Sequence, residues 1–206
     1  MLPAGIVLGD ARQVEGDSGE KYFEFLLGLD RPSTKAVTVQ YGTQDGTATT
    51  DDGDYQAVVG TLTWAAGDNA MQTIRVPVLG DGRFEMEEDF YLILTDATNA
   101  ALRKDIGRGL IMNDDAFTYS APADAGPNAL TLLVDGENVE LLRGEESVLQ
   151  GTLAESAPLT VVGAAGVETT LTVDVVGGTP AAGRILFQGS PDGTDRLIVL
   201  DSAARR

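Results

Sequence analysis

The 206-residue sequence contains no cysteine and no histidine. Without thiols there are no disulfides, no thiolate zinc sites and no cysteine nucleophile. Without imidazole the chain lacks the side chain most used for general acid–base work and for softer metals, so a serine–histidine triad is excluded. Bases are scarce as well, 14 Lys and Arg against 32 Asp and Glu. The resulting net charge of −18 argues against nucleic acid as a partner, because that affinity comes from Lys and Arg on phosphates. It equally disfavours an anionic membrane surface, and no apolar run approaches the ~18 residues of a membrane helix, so no membrane insertion is expected. The opening Met-Leu-Pro-Ala-Gly lacks the basic start and apolar stretch of a secretion signal, which is compatible with an excised mature fragment.

Hard carboxylate and hydroxyl oxygens are what the chain owns in quantity, and these suit calcium or magnesium. With 43% hydrophobic and 22% charged residues it is a foldable globular sequence, not an acidic tail. The 25 Gly and 8 Pro among many Val, Thr, Leu and Ile, with no apolar stripe of helical period, predict an all-β protein.

Residues 1–115 and 116–206 read as different parts. In the first, alternate apolar residues share a face in Phe23, Phe25, Leu27 and Leu29, in Val37, Val39 and Tyr41, in Ile74, Val76 and Val78, and in Phe90, Leu92 and Leu94. With Gly5–Leu8, Gly60–Trp64 and Ile106–Met112 these make about seven strands, as in an immunoglobulin-like sandwich of roughly 100 residues. Pro77 cannot donate to a ladder, which predicts an exposed edge on its strand. Residues 116–128 read as a linker. From 129 to 206 a hairpin turning at Asp135-Gly136-Glu137-Asn138 precedes four similar triplets, Leu159-Thr-Val, Leu171-Thr-Val, Ile185-Leu-Phe and Leu197-Ile-Val. Short recurring strands with Gly-rich turns predict either the parallel rungs of a small β-solenoid or an antiparallel meander.

Successive strands of a seven-strand up-and-down count reverse direction, so alternate connections lie at one end. Those connections carry 14 of the 20 acids of residues 1–115, from Glu15, Asp17 and Glu20 to Asp114 and Asp115. A single acidic loop is ordinarily just solvated. Four at one end repel, by ~1 kcal/mol per pair at 4 Å in water and ~4 kcal/mol at an effective dielectric of 20. Only Lys21 and Arg83 are near in sequence, so a cation is the economical compensation. Calcium accepts 6–8 oxygens in irregular geometry, which separate loops can supply more readily than magnesium's octahedron allows.

At this point the sequence resembles the Calx-beta domain of sodium/calcium exchangers, integrin β4 and large bacterial surface proteins. The resemblance covers nearly all of residues 3–115. It rests on Val14-Glu15-Gly16-Asp17-Ser18-Gly19, on Val37-Thr-Val-Gln-Tyr-Gly-Thr43 with Asp45-Gly-Thr-Ala48, on Gly53-Asp54-Tyr55, on Asp81 with Phe84-Glu85 and Glu88-Asp89-Phe90, and on Ile111-Met-Asn-Asp-Asp115. It implies a calcium site at the end of the sandwich. The implied ligands are Glu15, Asp54, Asp81, Glu85, Glu88, Asp114 and Asp115, with the Arg83 carbonyl as a further donor, enough for about two ions at 6–8 oxygens each. Asp51, Asp52 and Glu87 are expected to be solvated. Gly80 and Asn113 depart from the acid-richest exchanger versions, which carry aspartates there.

Further on, Ser190-Pro-Asp-Gly193-Thr-Asp195-Arg-Leu197 resembles a single repeats-in-toxin calcium nonapeptide without its two leading glycines, a poor match. The rungs resemble in a general way those that follow Calx-beta units in large secreted bacterial proteins. Together these readings lead to a non-enzymatic, calcium-stiffened module of an extracellular or cell-surface protein, adhesive or structural, in which Ca2+ rigidifies the loops and the inter-module junction. Its expected partners are neighbouring modules or subunits of the same protein, or a surface partner or glycan. One alternative is a self-assembling subunit of a surface fibre or filament joined by β-strand addition. A carbohydrate-binding module has little support from one Trp and five Tyr, and carboxylate-based glycoside hydrolysis lacks an evident pocket.

Overall fold

The alternating runs become strands in the computed structural model, which describes residues 3–123, 127–153, 158–176, 185–190 and 194–201. Every regular element among them is a strand, so the all-β class holds. In chain order these are β1 (Ala4–Leu8), β2 (Ala11–Val14), β3 (Gly19–Leu29), β4 (Val37–Asp45), β5 (Val59–Trp64), β6 (Gln72–Gly80), β7 (Glu88–Thr98), β8 (Ala100–Lys104) and β9 (Ile106–Met112), then β10 (Phe117–Ser120), β11 (Asn128–Asp135), β12 (Asn138–Arg143), β13 (Glu146–Thr152), β14 (Leu159–Val162), β15 (Thr169–Val175), β16 (Ile185–Gln188) and β17 (Arg196–Asp201). The contacts divide the chain into two units. Unit 1 is Met1–Asp81 with Glu88–Met112, and unit 2 is Gly82–Glu87 with Asn113–Arg206.

Unit 1 is a sandwich of a four-stranded sheet, β6-β3-β1-β8, and a five-stranded sheet, β2-β9-β7-β4-β5. Its strands are nine where the sequence pattern suggested seven. The first and last runs each break and change sheet, at Gly9-Asp10 and at Asp105, so that β1 pairs with β8 and β2 with β9, both in parallel. Asp10 ties the two breaks together: its carboxylate accepts from Lys104 Nζ at 2.7 Å and from the Arg108 N–H at 2.9 Å. The Lys104 hydrogen bond, followed by that N–H, holds the Asp10 carboxyl below its usual range.

Inward faces follow the period-two pattern. Phe23, Phe25, Leu27, Val37, Val39, Ile74, Val76, Val78, Phe90, Leu92 and Leu94 are buried in one core, with Trp64 among them and Tyr41 packed partly exposed at its margin. Phe90 lies at the centre, stacked on Tyr55 at 4.5 Å and tilted against Phe23 and Phe25 at 5.7 and 5.8 Å. Pro77 sits on β6, the edge strand of its sheet. The pairing directions put the ends of β2, β4, β6 and β9 at one end of this sandwich.

Unit 2 contains both patterns that the sequence left open. β11, β12 and β13 are antiparallel, joined by two-residue turns whose first positions, Gly136 and Gly144, have φ of 63° and 65°. A hairpin turn of that kind calls for glycine there. The remaining pairs are parallel: β10, β14 and β16 in one sheet, and β11, β15 and β17 in another. The four triplets alternate between these sheets, so Leu159 pairs with Ile185 and Leu171 with Leu197, an offset of 26 residues in each. Residues 116–128, expected as a linker, contain β10, the first strand of the three-stranded sheet, and Asn128 opens β11. The signal was weak because Phe117-Thr-Tyr-Ser120 is four residues long and half exposed.

One polar residue secures the turn before each long strand. Asn128 donates to the Pro122 carbonyl at 2.9 Å, Thr169 Oγ1 accepts the Ala164 N–H at 3.2 Å, and Asp195 accepts the Ser190 N–H. Asn128 and Thr169 are paired in register, and Asp195 stands one residue before Arg196, as Thr169 does before Thr170.

Candidate metal centre

The seven carboxylates implied as ligands occupy different settings. Glu15 follows β2, is buried, and donates its backbone N–H to the Met112 carbonyl at 3.3 Å. Asp54 closes a turn: Oδ2 accepts the Thr49 N–H at 2.7 Å, and its carbonyl accepts from Leu79 of β6 at 2.9 Å. Glu88 opens β7 opposite Ile111 of β9. Asp81 is exposed just beyond β6.

The other three belong to unit 2. Glu85 is flanked by Arg83, whose guanidinium lies 3.2 Å from Oε1. Its backbone N–H donates to Asn113 Oδ1 at 3.4 Å, and its carbonyl accepts the Thr152 N–H at 3.0 Å. Asp114 is half-buried, and Asp115 is buried with its N–H 3.3 Å from Asn113 Oδ1.

Within unit 1, Asp54 and Glu88 each offer a carboxylate oxygen, and these two oxygens lie within 4.8 Å of one another. Oxygens at calcium–ligand distances of 2.3–2.6 Å on opposite sides of an ion are up to ~5 Å apart, so this spacing fits such an ion. The donor set is hard oxygen throughout. Glu15, Asp81, Asp114 and Asp115 do not join a group of three or more such oxygens among the described residues. Asp51, Asp52 and Glu87 are exposed.

Both departures from the exchanger pattern have local causes. A Cβ on Gly80 would sit 1.9 Å from the Gly16 carbonyl oxygen, so no side chain fits there. Asn113 is buried and donates through Nδ2 to the Thr152 carbonyl at 2.9 Å, which a carboxylate could not do.

Sequence proximity missed one compensating base. Arg108 lies opposite Tyr91 across β7 and β9, and its Nε is 2.8 Å from Asp89 Oδ2. Burial alone would raise the Asp89 carboxyl, but the Arg108 guanidinium and the Thr47 N–H outweigh it, and the group titrates low. The antiparallel register was the signal that could have found this pair. Asp45 is likewise engaged, accepting from Tyr55 Oη at 2.5 Å and from the Thr50 N–H at 3.3 Å. Burial, then the Asp45 contact, pushes the Tyr55 hydroxyl well above its ordinary value.

In unit 2 the nonapeptide-like stretch differs from the metal-loop reading. Residues 191–193 lie outside the described residues. Asp195 directs both oxygens at backbone, Oδ1 accepting the Thr169 N–H at 2.8 Å and Oδ2 the Ser190 N–H, so its carboxylate serves the turns.

Comparison with known proteins matches these features to one family. A model of the Calx-beta domain matches residues 6–115, more than half of the chain. Similar solved structures include the apo form of the Calx CBD1 domain, 26% identical with a TM-score of 0.46, covering 55% of this chain and 99% of that one. CBD12 from CALX1.2 is 23% identical with a TM-score of 0.49, and the match covers 68% of this chain and 57% of that one. The calcium binding domain CBD12 of CALX1.1 is 22% identical with a TM-score of 0.46, covering 68% and 58%. The chain therefore spans less than two thirds of either CBD12 structure. No curated protein matches it. The chain belongs to the Calx-beta domain family.

Proposed function

We propose that the chain is a calcium-binding, non-enzymatic structural module of an extracellular or cell-surface protein. The observation that carries this reading is the meeting of the Asp54 and Glu88 oxygens within 4.8 Å in unit 1. Family membership supports it, and so does the name of the similar CBD12 structure, a calcium binding domain. Asp54 and Glu88 are the principal ligands, and Glu15, Asp81, Glu85, Asp114 and Asp115 are the further donors that membership of the family suggests. A bound divalent ion would add positive charge among these acids.

The protein's own part is to hold the donors before the ion arrives. The Thr49 N–H fixes one Asp54 oxygen, and the Asn113 and Thr152 contacts fix the Glu85 backbone. An ion bound only by the folded state adds RT ln(1 + [L]/Kd), about 2.7 kcal/mol at one hundred times Kd. Millimolar calcium outside cells would therefore stiffen the module, whose partners are neighbouring modules of the same protein or a surface ligand.

Calcium titration by calorimetry tests the proposal. The parent chain is expected to give a saturable calcium-binding isotherm and to melt higher in calcium than in chelator, while Asp54→Asn and Glu88→Gln weaken both effects. An equal Tm in calcium and chelator, or titrations identical in the parent and both variants, would overturn it.

A further inference from the structure

The two sheets of unit 1 carry its two principal carboxylates separately. Asp54 rides on β6 of the four-stranded sheet: its carbonyl accepts the Leu79 N–H at 2.9 Å, Tyr55 forms an isolated bridge with Val78, and the Gln56 N–H donates to the Pro77 carbonyl at 2.9 Å. Glu88 opens β7 of the five-stranded sheet. The approach of their oxygens to within 4.8 Å therefore depends on how the sheets are spaced at this end.

Tyr55 spans that spacing. It directly follows Asp54 and is 2% exposed. Its ring stacks on Phe90 at 4.5 Å with an interplanar angle of 16°. Phe90 comes two residues after Glu88 on β7, so the two side chains leave the strand on one face. The Tyr55 hydroxyl donates to Asp45 Oδ1 at 2.5 Å, and Asp45, the last residue of β4, is paired in register with Phe90. Backbone at this one residue is thus tied to the strand that holds Asp54, while its side chain is tied to the strand that carries Glu88 and to that strand's neighbour. Asp45 also accepts the Thr50 N–H at 3.3 Å, inside the turn whose Thr49 N–H holds Asp54 Oδ2 at 2.7 Å. The same acid anchors both the tyrosine and the turn.

We propose that Tyr55 is the positioning residue of the metal centre: stacked on Phe90 and anchored on Asp45, it sets the separation of Asp54 and Glu88 before an ion arrives. Asp45 acts as its acceptor and not as a ligand. Donors ordered during folding bind more tightly, because the cost of ordering them is not met on binding. The inference rests on the calcium reading and adds to it the residue on which the affinity depends.

Calcium titration at 0.15 M salt, where the Debye length is ~8 Å and remote charge counts for little, separates the roles. Tyr55→Phe keeps the ring and the net charge but removes the hydroxyl. It should weaken calcium binding by about two- to tenfold, the span of a hydrogen bond's net worth passed on to binding. Asp45→Asn removes a charge yet keeps an oxygen that accepts from Tyr55, and should weaken binding less than Tyr55→Phe does. Amide exchange in chelator gives an ion-free readout. In Tyr55→Phe the Thr49 and Leu79 N–H groups, which hold Asp54, should exchange faster, while Val39 and Leu92 in the core keep the parent rate. Parent-like binding in Tyr55→Phe overturns the inference, as does a larger loss in Asp45→Asn, which would make Asp45 a ligand. Equally faster exchange at Val39 and Leu92 would show a general loss of stability and overturn it too. Each of these results leaves the calcium reading standing where Asp54→Asn weakens binding, whereas a parent that binds no calcium ends both.

Discussion

Phe84 provides a test of where the segment between β6 and β7 belongs. By sequence it lies inside the Calx-beta match, yet residues 82–87 group with unit 2. Its ring is 7% exposed within the unit 2 core, 5.8 Å from the Phe117 ring and tilted against it. The fit on β13 leaves no slack, because a Cβ on Gly151 would fall 2.0 Å from a Phe84 ring carbon. Removing a buried Phe ring costs about 3–5 kcal/mol, combining lost transfer energy with the cavity left behind. Phe84→Ala should therefore raise amide exchange at Leu130, Leu132 and Val134 of β11 by about two to four powers of ten, at 1.4 kcal/mol per tenfold. Trp64, buried in the core of unit 1 with Nε1 bonded to the Ala70 carbonyl, reports the other unit through its fluorescence. A loss below about 1 kcal/mol, or one seen at Trp64 while β11 exchange is unchanged, would refute the assignment of this segment to unit 2.

Restoring the exchanger aspartates should fail for steric and hydrogen-bonding reasons. Gly80→Asp meets the Gly16 carbonyl and should cost at least about 1–3 kcal/mol by overpacking, while Asn113→Asp loses the donor to the Thr152 carbonyl at a cost of about 1–3 kcal/mol. Melting curves and calcium stoichiometry check both, and a variant that gained an ion without losing Tm would contradict this account. The low-titrating Asp10 adds stability that is fully present above the ordinary Asp range near ~3.9 and is lost as pH falls through its lower folded value. Because Asp10 is largely exposed, Asp10→Asn should cost no more than about 1 kcal/mol at neutral pH and flatten the acid limb of the stability curve below about pH 4; an unchanged limb would count against it. Asp195→Ala should destabilise unit 2 by about 1–3 kcal/mol through two orphaned N–H groups and leave calcium binding as in the parent. Loss of calcium binding in that variant would reinstate the metal-loop reading.

Much of unit 1 was legible because a sandwich strand writes its facing into every second residue. Phe23, Phe25, Leu27, Ile74, Val76, Val78, Phe90, Leu92 and Leu94 could be assigned to one interior before any contact was known. β8 was missed because Ala100-Ala-Leu-Arg-Lys104 has only Leu102 as a large apolar residue, and what defines it is parallel pairing with β1. Asn99, the single residue between β7 and β8, has a positive φ of 57°, and Asp96, at the register irregularity of β7 against β4, has one of 49°, values that Asn and Asp tolerate better than most residues. In unit 2 the spacings of 12, 14 and 12 residues concealed the period of 26, because consecutive triplets lie in different sheets. The turn-holding residues Asn128, Thr169 and Asp195 share a role but no side-chain identity, so no motif search would align them.

The acidic end was readable for a different reason, and only in part. Strand reversal alone brings the exits of β2, β4, β6 and β9 to one end, so the sorting of charge follows from counting strands. Which acids meet is decided by short-range geometry that counting cannot supply. Asp45 and Asp89 share those connections with Asp54 and Glu88, but Tyr55 takes up the first and Arg108 the second. The Thr49 N–H, in contrast, engages one oxygen of Asp54 and so fixes where its carboxylate lies beside Glu88. Charge sorting therefore marks the end of the domain where an ion could sit, and the hydrogen bonds made by neighbouring Thr, Tyr and Arg side chains and backbone decide which carboxylates are already committed elsewhere.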